Sequence, residues 1–285
     1  PAFIGLTLFT LSGIVHWIQL CRVGKKYLLV LPIGMTGMAG GFALRFLLHH
    51  NPTSKGVLIA TTLLLLLSPC LFLAAGYVIL GHLGTLFGPK VAKGSMLIPP
   101  ARIATIFVWS DVGTILVQGL GGSMTVSDNI DTVNLGSKIV LVGVIIQFAS
   151  FMLFSLLVVV FGLRVKSRFP HIWTATGSSA FRLFSGNPAE NWHILYYALC
   201  ATCVTILIRS TYRMIQFLQG HGGYLASHEV FFYCLDALPL WFAMSLYCSV
   251  WPPRFLNNSR EAQVIELQKG GHRSLYGGES TADLL

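Results

Sequence analysis

The chain has 285 residues, of which 54% are hydrophobic and only 10% charged. Soluble domains carry roughly 25% charged residues, so this balance excludes an ordinary water-soluble protein and indicates an integral membrane protein. The net charge of +9 is no nucleic-acid signature, because its distribution along the chain follows membrane topology instead.

Stretches of about 20 apolar residues are long enough to cross a bilayer as helices. Seven occur, at about 2–21, 27–48, 57–80, 101–121, 136–163, 192–218 and 229–250. Each exceeds the ~10 residues of a barrel strand, so the expected fold is all-α, a seven-transmembrane helix bundle. The fifth and sixth spans are long and are expected to tilt or protrude. Gly34, Gly37, Gly40 and Gly41 in the second span predict close helix packing, as do Gly113, Gly119, Gly121 and Gly122 in or just beyond the fourth. Pro69 and Pro239 predict kinks in the third and seventh. Residues 256–285 are polar and Gly-rich and read as a disordered cytosolic tail, leaving 1–255 as one transmembrane domain. The sequence opens at Pro1 inside the first span without an initiator Met, so further residues are expected ahead of it.

The loops carry their charge on one side. Arg22, Lys25 and Lys26 follow span 1, Lys90 and Lys93 follow span 3, and Arg164, Lys166, Arg168 and Arg182 follow span 5. Arg254, Arg260, Lys269 and Arg273 follow span 7, whereas the opposite loops hold only Lys55. Cationic loops stay cytosolic, which predicts an outside N-terminus and a cytosolic C-terminus. The six cysteines lie within spans or at their ends, so no extracellular disulfide framework is indicated. Cys200 and Cys203 have CxxC spacing but no second pair nearby, and no metal or other cofactor is expected.

The polar residues inside the spans carry the functional question. An ionised group in hydrocarbon costs several kcal/mol and is kept when paired or facing a wet cavity. Arg209 and Arg213 are spaced i, i+4; Glu229, Tyr233 and Asp236 are spaced i, i+4, i+7; Asp111 and Gln118 are spaced i, i+7. Each set shares a helix face. With Arg45, three arginines are expected to meet three carboxylates in the outer half of the bundle, around a polar cavity roofed by 220–228. The competing reading is structural: a buried Arg–Asp pair locks two helices, and Arg45 and Glu229 snorkel to the rim. Tyr77, Trp109, Tyr212 and Trp241 read first as packing residues. His16, His49, His50, His82, His221 and His228 lie near helix ends, where interface residence is the default.

These residues resemble the fungal RTA-like family, also called lipid-translocating exporters. Leu67-Ser-Pro69 through Ala75 and Tyr77 is similar to its third-helix pattern, which brings Tyr77 into the candidate set. Ile106-Phe107 with Asp111, Gln118 and Gly121 is similar to its fourth. Arg209-Ser-Thr-Tyr212-Arg213, Gly220, Gly223, Glu229, Tyr233, Asp236 and Pro239 resemble its most specific block, and Trp251-Pro252 its close. Two acids of the pattern are missing: the second helix has Met38, Gly41, Phe42 and Arg45 with no Glu, and Gln216 stands where a Glu is usual.

The resemblance implies a multi-pass protein, placed in the plasma membrane, linked to resistance to toxic amphiphiles and to export or flipping of sphingoid long-chain bases. Some relatives are tied to porphyrin or haem handling. The expected function is therefore translocation of amphiphilic lipids, with membrane lipids or amphiphilic small molecules as partners. The alternative is a seven-helix receptor or sensor without net transport. No G-x-x-x-x-G-K-[ST] motif for ATP binding occurs. An intramembrane enzyme lacks its chemistry too, since no span holds His-x-x-x-His for a zinc hydrolase.

Overall fold

A computed structural model describes residues 2–23, 25–50, 55–125, 127, 129–170, 173, 192–219 and 229–253. The expected roof at 220–228, most of the 164–191 connection and the tail lie outside these residues, as does the side chain of Glu229.

A backbone in hydrocarbon must satisfy its own polar groups, which a helix does within one segment. The long helices are α1 (Ala2–Val23), α2 (Val30–His50), α3 (Lys55–Leu86), α5 (Pro100–Met124), α6 (Ile130–Arg168) and α7 (Trp192–Gln219). These six are long and apolar enough to cross a membrane. Their bounds fall within a few residues of the expected spans, except that α3 and α6 extend further. At 39 residues, α6 is about 58 Å long at 1.5 Å per residue, well beyond a hydrocarbon core of ~30 Å.

The seventh expected span is built from three contiguous pieces, Glu229–Phe231, a π-helical segment Phe232–Ala237, and Leu238–Ser249, here together termed α8. The wide turn has a local cause. Pro239 has no N–H to offer and its ring crowds the preceding turn. The backbone N–H of Leu238 donates to the carbonyl of Tyr233, five residues back, so the helix widens just ahead of the proline. The sequence also conceals a short helix, α4 (Pro89–Ser95). It starts with Pro89 at its first position, where the missing N–H costs nothing. Gly88 before it takes a φ of 86°, a conformation that favours glycine.

The helices close into a ring: α1 packs on α2, α2 on α3, α3 on α5, α5 on α6, α6 on α7, α7 on α8, and α8 returns to α1. Helix α3 also touches α7 across the ring. Small residues set the closest approaches. A Cβ on Gly121 would lie 2.8 Å from the carbonyl oxygen of Gly136, so α5 and α6 pack almost backbone to backbone, and one on Gly41 would lie 2.8 Å from Leu65 Cδ2, so a leucine of α3 fills the space against α2. The outward faces are apolar along the length of the helices, with Phe3, Trp109, Leu120, Leu156 and Leu163 exposed. That arrangement is unstable in water and suited to lipid.

His16, toward the end of α1, packs between helices. It is fully buried, with Nε2 3.2 Å from the carbonyl of Met244 and its ring tilted against Trp251. It joins α1 to the end of α8. His82, by contrast, stacks on Tyr27 with ring centroids 4.5 Å apart.

Candidate functional site

Burial in α5 follows a single stripe. Ile103, Phe107, Asp111, Thr114, Gln118 and Gly121 recur at three- and four-residue spacing and are its buried residues, as expected for one inward helical face. Three of the six are polar. In α7 the stripe runs Leu195, Leu199, Thr202, Ile206, Arg209, so the register that buries the apolar residues also carries a guanidinium inward. In α8 the contributing residues Phe232, Tyr233 and Asp236 all sit on the π-helical segment.

The polar residues form two groups, where a single cluster of three arginines and three carboxylates was expected. The first joins α7 to α8. Arg213 donates from Nε to Asp236 Oδ1 at 2.7 Å and from a terminal nitrogen to Oδ2 at 2.8 Å, a two-point guanidinium–carboxylate fork. Arg209 brings its Nε to 3.1 Å from the same Oδ1, but the N–H is not aligned for a hydrogen bond. Two guanidinium groups therefore share one carboxylate. Asp236 is 1% exposed and Arg209 is 8% exposed.

Arg45, from α2, extends this group. Its guanidinium lies over the rings of Phe232 and Tyr233, 4.6 and 5.7 Å from their centroids, and adds positive potential at Asp236. It is half-buried and held by cation–π contacts as well as by its position near the helix end. Tyr212, one turn from Arg209, is buried with no hydrogen-bond partner for its hydroxyl among the described residues.

The second group lies among α3, α5 and α6. Tyr77 donates its hydroxyl to Asp111 Oδ2 at 2.9 Å, and its ring packs between Phe107 and Phe154. Asp111 Oδ1 is buried without a hydrogen-bond partner among the described residues. Asp111 thus does not join the arginines. Gln118 donates to Gln147 Oε1 at 2.8 Å, and Gln147 donates to Cys70 Sγ at 3.3 Å, so a polar chain crosses three helices. The two groups are neighbours: Cys70 feels the charges of both Asp111 and Arg209.

Gln147 and Cys70 were not singled out from the sequence. Gln147 had a signal, an amide within an apolar span; Cys70 had only its place beside Pro69. Of the aromatic residues read as packing, Trp109 faces outward, while Trp241 donates to Ser12 Oγ at 3.0 Å and ties α8 to α1.

Residues 31–259 match the family described as "RTA1 like protein". Protein RTA1 of Saccharomyces cerevisiae is 33% identical across 74% of this chain. Protoporphyrin uptake protein 1 of the same organism is 30% identical across 71% of it. The chain covers 61% of the length of each of these two. Sphingoid long-chain base transporter RSB1, also from S. cerevisiae, is 26% identical across 91% of this chain and 73% of its own. No solved structure matches. With a family match over most of its length and apolar helices of spanning size, the chain belongs to the RTA1-like family of multi-pass membrane proteins.

Proposed function

We propose that the protein translocates amphiphilic lipids such as sphingoid long-chain bases across the bilayer, without converting them chemically. The proposal includes seven spans, an outside N-terminus, a cytosolic C-terminus, residence in the plasma membrane and a polar cavity in the outer half of the bundle. One observation carries it: Asp111 sits buried on the inner stripe of α5 with one carboxylate oxygen on Tyr77 and the other without a partner among the described residues. A carboxylate so placed among apolar helices is costly unless it meets a positive group, and an ammonium headgroup supplies one while its tail remains in lipid.

Asp236 suits this role less well, since Arg213 already holds both of its oxygens. Arg209, Arg213 and Asp236 instead fix α7 against α8 and shape the neighbouring wall. A relative named as a sphingoid long-chain base transporter and another named for protoporphyrin uptake support amphiphiles as the substrate class.

Efflux of a radiolabelled long-chain base from cells bearing the Asp111→Asn variant tests the reading. Asn keeps the acceptor for Tyr77 and loses the charge. Loss of one charge-assisted contact predicts a fall of about tenfold; unchanged efflux contradicts the proposal. Binding in reconstituted vesicles without lipid movement favours a receptor instead.

A further inference from the structure

Arg209 is a buried guanidinium whose Nε has no aligned hydrogen bond among the described residues. A guanidinium carries five N–H donors, and buried donors are normally matched. Arg209 has its Nε 3.1 Å from Asp236 Oδ1 but misaligned, while Arg213 bonds that carboxylate at both oxygens. The shortfall is one of charge as well as of hydrogen bonds. Whatever partners Arg45 has, Arg209 and Arg213 share a single carboxylate among the described residues.

The surrounding groups add to the same pattern. Arg209, Tyr212, Arg213 and Gln216 are spaced i, i+3, i+4 and i+7 and share one face of α7. The Tyr212 hydroxyl is buried without a hydrogen-bond partner among the described residues, and it lies in the field of Arg213, Asp236 and Arg45. Two donors unmatched among the described residues, the Arg209 Nε–H and the Tyr212 hydroxyl, thus stand one turn apart where two guanidinium groups share one described carboxylate. The group that satisfies both is an acceptor carrying negative charge.

We infer that the Arg209–Tyr212 face is a recognition site for the acidic group of an amphiphile, a carboxylate or a phosphate. The inference rests on the proposed amphiphile-binding function and narrows its substrate class. Asp111 and Arg209 both act on Cys70 and form two neighbouring poles, one for a positive group and one for an acid. A long-chain base bearing a phosphate presents both; a porphyrin presents its carboxylates to the second pole alone. Arginine suits this task because its planar fork matches both oxyacids.

The test uses the purified full chain in lipid nanodiscs and measures binding of matched probes. Protoporphyrin IX is compared with its uncharged dimethyl ester, and a long-chain base 1-phosphate with the free base. The acidic member of each pair is expected to bind about tenfold tighter, the worth of one charge-assisted contact. Arg209→Gln should abolish that preference. Tyr212→Phe removes a hydroxyl that has no partner among the described residues, so the protein is expected to stay folded while the preference drops about threefold, a fraction of one hydrogen bond. A preference for phosphate without one for the porphyrin acid identifies phosphate as the ligand, and the converse identifies carboxylate. Equal binding within both pairs, or a preference that survives both substitutions, overturns the inference and leaves amphiphile binding standing. Failure of all four probes to bind overturns both.

Discussion

Asp236 is the residue on which most of the charge in α7 and α8 converges. Its two oxygens take a two-point fork from Arg213 and a longer, misaligned approach from Arg209. Removing one partner of a buried pair leaves the rest uncompensated, at a cost of about 3–5 kcal/mol. Asp236→Asn should therefore lower the thermal unfolding temperature of the detergent-solubilised protein sharply. Asp111→Asn should lower it little, since Asp111 has no charged partner among the described residues to abandon. Thermal unfolding monitored by tryptophan fluorescence checks both, and equal effects would contradict the division into two groups. Arg213→Lys should behave as a partial loss, because an ammonium cannot reproduce the fork.

At the scale of elements, helix positions were legible from hydropathy and their packing from glycine. The spans expected at 101–121 and 192–218 became Pro100–Met124 and Trp192–Gln219, because a run of apolar residues in lipid has little alternative to a helix. The Gly121–Gly136 contact illustrates the packing: a Cβ on Gly136 would lie 2.6 Å from the carbonyl oxygen of Gly121. Backbone cannot swing aside as a side chain can, so Gly136→Ala should cost about 1–3 kcal/mol through overpacking. A chemical or thermal unfolding series in detergent reads that loss, and a neutral result would argue against the close crossing.

The widened turn of α8 was less legible. Pro239 announced a disturbance but not its form, and the i, i+4, i+7 spacing of Glu229, Tyr233 and Asp236 assumed a regular helix. With Phe232–Ala237 π-helical, Phe232 comes inward beside Asp236 and meets the guanidinium of Arg45. Partner choice was also hidden. Charge counting pooled Asp111 with the arginines, whereas its helix faces Tyr77 on α3. Which helices adjoin is a property of the ring, and spacing along one helix does not report it.

For the whole molecule, the proposed function requires that an amphiphile enter the ring of helices and meet Asp111 or Arg209, while the outer surface contacts only bulk lipid. A photoreactive long-chain base with its crosslinker beside the headgroup tests this directly in native membranes. Mapped by mass spectrometry, its adducts are expected on inward residues near the two polar groups, such as Cys70, Tyr77 and Tyr212, and to decline when excess unlabelled base competes. Adducts confined to outward residues such as Trp109 and Leu120, undiminished by competitor, would contradict the account.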